Sequence, residues 1–201
     1  MTNFRYWTKL IILTKNTTIF ETVFTAVVSA ALGVLFWGWT FIYDVLKPFL
    51  KVFGLNYAVA GIWILSAVLV ASIVRRPGIA IAAALISAFV ESLFTHWGLI
   101  SLSSGLAQGL GAEIVFLLFL YRRWDLPVII LASISSATMS YIMDYYLYDY
   151  ARLSKIILLI QLSSFLVSAV LFSALLSSYI VRRLKKLGVL NRFLIMKKSD
   201  V

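Results

Sequence analysis

Gln108-Gly109-Leu110-Gly111-Ala112-Glu113 stands in the middle of an apolar stretch, Leu99 to Tyr121, that is long enough to span a bilayer. A carboxylate at that depth costs about 3 kcal/mol on insertion scales, so an intramembrane acid usually faces a bundle interior, a partner or a ligand. A second acid, Glu91, lies near the end of the preceding apolar stretch.

Working outward, the whole chain has the same character. Of its 201 residues 62% are apolar and 13% charged, with a mean hydropathy of +0.99; a soluble domain is about half apolar and a quarter charged. The length holds about six spans of about 20 residues, with no room for a soluble domain beside them. Apolar stretches fall at 18–43, 56–74, 78–96, 99–121, 126–147 and 155–181. The expected fold is therefore an all-α bundle of six transmembrane helices, a single domain over residues 1–201. Residues 1–17 read as a cytoplasmic or interfacial leader, because Leu10-Ile11-Ile12-Leu13 is flanked by Lys9 and Lys15 and no small-residue cleavage site follows. Asp44 to Gly54, with Lys47, Pro48 and Lys51, reads as a loop, and Arg75-Arg76-Pro77-Gly78 as a tight turn.

The net charge of +10 is explained by topology. Fourteen of the eighteen Lys and Arg lie before the first span, at 75–76, at 122–123 or after Ile180. The positive-inside bias then puts both termini in the cytoplasm and makes 182–201 a basic cytoplasmic tail facing anionic headgroups. Nucleic acid is not an expected partner; membrane lipid is. With no Cys and His96 as the one histidine, neither a metal site, a cofactor nor a conventional catalytic triad is expected.

In that orientation polar side chains converge on the outer half of the bundle. Gln108 lies about 13 Å below the outer end of its span at 1.5 Å per residue, with Glu113 deeper. Trp63 and Gln161 fall at similar depth to Gln108, and Glu91 and Asp144 nearer the outside. Glu91 either reaches the interface or meets a ligand; Glu113 either bonds another helix or meets a ligand. Trp63, well inside its span, either packs or offers a π face to a ring or cation. Tyr141 and Asp144, at i and i+3, share a face near the outside. Gly109-Leu110-Gly111 lacks the strand and spacing of a dinucleotide fingerprint; Gly105-xxx-Gly109 fits a helix-packing stripe. Ala26-xxx-Ala30 and Thr25-xxx-Ser29-xxx-Gly33 are two more such stripes on the first span.

From Gly61 to Asp144 the chain resembles the YkoE family. The likeness rests on Gly61-Ile62-Trp63, Arg76-Pro77-Gly78, Glu91 thirteen residues on, the Gln108–Glu113 run and Tyr141-Ile142-Met143-Asp144. The resemblance implies the substrate-binding (S) component of an energy-coupling factor (ECF) transporter: a non-catalytic subunit in the cell membrane. Such a subunit captures thiamine or hydroxymethylpyrimidine outside and docks on a transmembrane coupling protein (T component) driven by two cytoplasmic ATPases. Glu91, Gln108 and Glu113 would supply polar contacts, Trp63 the stacking surface, and Tyr141 or Asp144 the outer closure. Docking would use Ala26 and Ala30, or else Ser29 and Gly33 with Thr25. The segment Asp44 to Tyr57 departs from the family pattern. Competing readings are an S component for pyridoxine or riboflavin, a self-contained carrier, a membrane adaptor and an intramembrane enzyme. The enzyme reading lacks a nucleophile–base pair at depth.

Overall fold

Thr18 caps the first helix, α1 (Ile19–Val52): its hydroxyl accepts from the Glu21 amide at 3.3 Å while the Glu21 carboxylate accepts from the Thr18 amide at 2.9 Å. This reciprocal box satisfies two otherwise orphaned amides. The computed structural model describes residues 18–190 and Phe193. The expected leader, 1–17, lies outside them.

The expected loop at Asp44–Gly54 is corrected. Helix α1 runs through Pro48 to Val52, and the chain turns at Gly54, φ +71°. Proline removes the amide that would bond the Asp44 carbonyl, but its fixed φ is helical and the lost bond falls near the helix end.

Beyond that turn, a 3₁₀ segment (Ala60–Ile64) leads into α2 (Leu65–Val74), all ten residues of which are buried. A helix apolar all round belongs in an interior, and the other helices pack about it. Gly61 makes the approach possible: its amide donates to Ser168 Oγ at 2.8 Å, and a Cβ there would overlap the Ser168 carbonyl.

Left-handed Arg75 (φ 58°) and Gly78 (φ 82°) close the tight turn expected at 75–78 and start α3 (Ile79–Ser92). Next, α4 (Ile100–Leu118) lies between α3 and α5 (Leu126–Leu147). Its glycines face both ways. A Cβ on Gly105 or Gly109 would come within 2.6 Å of Ala88 Cβ or 2.7 Å of Ile81 Cα on α3, and one on Gly111 within 2.5 Å of Ser136 Cα on α5. Close backbone approach of this kind is how helices gain dispersion energy in lipid.

Helix α1 uses the same device against α3, where a Cβ on Gly33 would stand 2.6 Å from the Ser87 carbonyl. Thr25, Ser29 and Gly33 are all buried. Ser29 and Gly33 therefore drop out as a docking face, because they are already packed. Ala26 is exposed and Ala30 half-buried.

The last helix is continuous from Lys155 to Lys186: α6 (Lys155–Ala169), a wider π turn (Val170–Leu175) and α7 (Leu176–Lys186). The expected tail thus begins as helix. Leu190 and Phe193 are buried beyond it, with the Phe193 ring 4.6 Å from Phe24 and 5.2 Å from Phe20 at the start of α1. Residues 191–192 and 194–201 lie outside the described ones. Among the described residues, four helices (19–52, 100–118, 126–147 and 155–186) are long and apolar enough to cross a membrane, and two shorter apolar ones cover 60–74 and 79–92.

Candidate functional site

A cavity of about 590 Å³ opens at the end of the bundle where α1, α3 and α5 finish and α4 and α6 begin. It has the size of a site for a drug-sized ligand. Its inner wall carries Trp63, Glu91, Gln108, Ser140, Asp144 and Gln161. Four helices and the 3₁₀ segment thus contribute to that wall, and α1 adds Phe36 and Tyr43 to the lining, which no single stretch of chain could do.

The Glu91 carboxylate takes the Trp63 indole N–H at 2.7 Å and the Thr40 hydroxyl at 3.4 Å, all on one oxygen, Oε1. Both partners donate, so they hold an acceptor in place and leave its second oxygen outside these two contacts. On the other side of the cavity, Asp144 accepts from the Tyr57 hydroxyl at 2.8 Å, which lies 2.9 Å from the Tyr150 hydroxyl. Burial raises the Tyr148 and Tyr150 hydroxyls above the usual phenol range. Gln108 reaches Ser140 Oγ at 3.5 Å through Nε2, and its backbone carbonyl accepts from Ser136 at 2.8 Å.

Three rings meet edge-on in the same wall. Tyr43 lies 5.3 Å from Trp63 and 5.9 Å from Trp97, and the two indoles are 5.6 Å apart. Asn56 Oδ1 and Ser101 Oγ are buried without a hydrogen-bond partner among the described residues, and both residues line the cavity. Buried polar atoms in this state are uncommon in folded proteins.

Glu91, Gln108, Trp63 and Asp144 therefore line one cavity. Glu113 does not. Its carboxylate accepts from the amides of Gly78 (2.5 Å) and Ala80 (3.1 Å) and from the Tyr121 hydroxyl (2.5 Å), so it caps the start of α3 at the far end of the bundle. Acids are favoured at a helix N-terminus by the exposed amides there. Tyr121 reaches it because Leu120 and Tyr121 are both left-handed, φ 53° and 54°, and turn the chain back. Tyr141 also leaves the contact set: it stands behind the wall, donating to Gln161 Oε1 at 3.2 Å and the Leu158 carbonyl at 3.1 Å.

Tyr43, Tyr57, Trp97, Tyr148 and Tyr150 line the cavity without having been expected as site residues. Trp97 and Tyr150 sit at span ends, where an aromatic belt explains them equally well. Tyr43 was findable: Phe36, Thr40, Tyr43, Lys47 and Lys51 recur at helical spacing along one face.

The family model described as the permease component of an ABC-type cobalt transport system matches residues 20–139. A curated relative, the putative HMP/thiamine permease protein YkoE of Bacillus subtilis (strain 168), is 39% identical over 132 residues. That alignment takes in 65% of this chain and 66% of the relative, so the match spans just under two thirds of the relative's length. Among solved structures, the crystal structure of an S component of an ECF transporter superposes with a TM-score of 0.85 at 33% identity, over 92% of this chain and 93% of that one. The chain belongs to the family of ECF-transporter S components.

S components are non-catalytic transport subunits, and this one is a multi-pass protein of the cell membrane. The matched family region, 20–139, carries α1 to α4 and most of α5, including Trp63, Glu91 and Gln108. Asp144, Tyr150 and Gln161 lie beyond it. Among the described residues, no three His, Cys, Asp or Glu side chains group closely enough to hold a metal ion. The inner wall of the cavity offers separately held carboxylates, side-chain amides and aromatic rings, which suits an organic ring or cation.

Proposed function

We propose that this S component captures thiamine or its hydroxymethylpyrimidine precursor from outside and delivers it through a transmembrane coupling protein driven by two cytoplasmic ATPases. One observation carries the reading: an acid held by an indole, Glu91 with Trp63, shares a cavity with a second acid, Asp144, and an amide, Gln108. An aminopyrimidine offers an amino group and ring nitrogens, which a carboxylate and an amide can pair with together. A thiazolium is a fixed cation, suited to aromatic faces and a desolvated carboxylate. The orphaned Asn56 Oδ1 and Ser101 Oγ are positions where a ligand donor would satisfy the wall. The name of the Bacillus relative supports the same substrate class.

In this reading the two shorter apolar helices complete six spans, the basic ends at 75–76, 122–123 and 182–186 face the cytoplasm with both termini, and the cavity opens outside. Ala26 and Ala30, on the outer face of α1, meet the coupling protein. The test is quenching of intrinsic tryptophan fluorescence in purified protein titrated with thiamine, hydroxymethylpyrimidine, riboflavin and pyridoxine. Saturable quenching by either of the first two at submicromolar concentration is expected. A response to riboflavin or pyridoxine alone would discard the substrate, and silence from all four would favour a carrier or adaptor.

A further inference from the structure

The inner wall of the cavity is acidic, but its rim is not. Tyr43, Lys47 and Lys51 occupy successive turns on one face of α1, and all three line the cavity. Each step of four residues moves about 6 Å along the axis. The face thus runs outward from the aromatic cluster at Tyr43 to two ammonium groups, with Lys47 Nζ 5.4 Å from the centre of the Tyr43 ring. Neither lysine forms an ion pair among the described residues. Of the acids close to the rim, Asp149, which also lines it, pairs with Arg152 at 2.6 Å, and Asp44 lies 3.8 Å from His96 Nδ1. Two unpaired cations at the mouth do nothing for a ligand that is itself a simple cation.

We propose that Lys47 and Lys51 form an anion subsite, so that the cavity accepts the phosphomonoester of its heterocyclic ligand with the ring inside and the phosphate at the rim. The proposal rests on the vitamin-binding reading above. A phosphomonoester carries between one and two negative charges at pH 7 and three acceptor oxygens. Two ammonium groups one turn apart match it as point charges without demanding a fixed geometry. Such a ligand is complementary along its length, its cationic or donor-rich ring toward Glu91 and Asp144 and its anionic end toward the lysines. A lipid headgroup phosphate offers the same chemistry, and the arms below separate the two.

The experiment uses the full chain in phosphatidylcholine nanodiscs, titrated with thiamine and with thiamine monophosphate. The quantity read is the ratio of their affinities in one and the same variant, which is insensitive to partial loss of folded protein. In Lys47→Met/Lys51→Met the relative affinity for the monophosphate should fall about tenfold, and in Lys51→Glu, which lowers the charge of the rim by the same two units, by a similar factor, with the wild-type preference shrinking as salt rises. The same shifts should persist in nanodiscs containing phosphatidylglycerol. An unchanged ratio in both variants, with thiamine still bound, overturns the anion subsite alone. Shifts that vanish in the anionic lipid assign the lysines to headgroup phosphate and overturn it too. No binding of either compound by the wild type removes the vitamin-binding reading and the subsite with it.

Discussion

Two glutamates with the same apparent status in the chain turn out to have different work. Glu91 lines the cavity with its Oε1 held by Trp63 and Thr40, whereas Glu113 is consumed by the Gly78 and Ala80 amides and the Tyr121 hydroxyl. Glu91→Gln should weaken thiamine binding roughly 10–100-fold, since hydrogen bonds to charged groups are worth about 1.5–3 kcal/mol; fluorescence titration measures it. Glu113→Gln should instead lower thermal stability, with a loss of about 1–2 kcal/mol for a weakened cap, read from the melting of detergent-solubilised protein. Its thiamine affinity should stay close to that of the wild type. Weakened binding with an unaltered melt would return Glu113 to the ligand. Hydropathy marked both residues as unusual, but a carboxylate that caps a helix and one that awaits a ligand look the same in a chain read without its neighbours.

At the level of elements, small residues set which helices touch and side-chain periodicity sets what faces the cavity. The Gly105-xxx-Gly109 stripe was readable as a packing device, and α4 does press it against α3. The two stripes on α1 were not separable in the sequence, because both have the spacing of an interface; contact with α3 consumes one and leaves Ala26 and Ala30 on the outer face. Gly61 is the tightest of these contacts. Gly61→Ala should destabilise the fold by about 1–3 kcal/mol through overpacking, since the opposing Ser168 carbonyl is backbone and cannot rotate away; a lower melting temperature with weakened ligand binding is the expected result. The loop expected at 44–54 failed for a definable reason. Pro48 and two lysines read as punctuation, yet the helix runs on through Pro48, and Lys47 and Lys51 continue the face that Phe36, Thr40 and Tyr43 begin.

For the molecule as a whole, charge asymmetry and cavity position agree: the cavity mouth and the arginine-rich turns are at opposite ends of the bundle. The chain has no cysteine, so single-cysteine reporters are clean. Asp149→Cys should react with a membrane-impermeant maleimide added to intact cells, and Arg122→Cys only after permeabilisation; the reverse pattern would invert the topology. Docking is testable on the outer face of α1. Ala26→Trp should leave thiamine binding by the isolated subunit intact while reducing uptake in cells that carry the coupling protein and ATPases, because bulk on a small-residue face blocks close helix approach. Uptake unaffected by both Ala26→Trp and Ala30→Trp would move the docking face elsewhere.

Composition and apolar stretch lengths sufficed by themselves for the membrane class and for most of the helical segments. Those properties sum along one dimension, and each residue contributes its transfer energy whichever way it points. What faces what was decided only in three dimensions. Rotation of each helix about its axis is set by where glycine backbones let a neighbour approach, and that rotation turned Glu113 to the α3 amides, Ser29 and Gly33 inward, and Tyr43, Lys47 and Lys51 toward the cavity. Tyr57 meets Asp144, 87 residues away, and Tyr150, 93 residues away, a coincidence that no local pattern encodes.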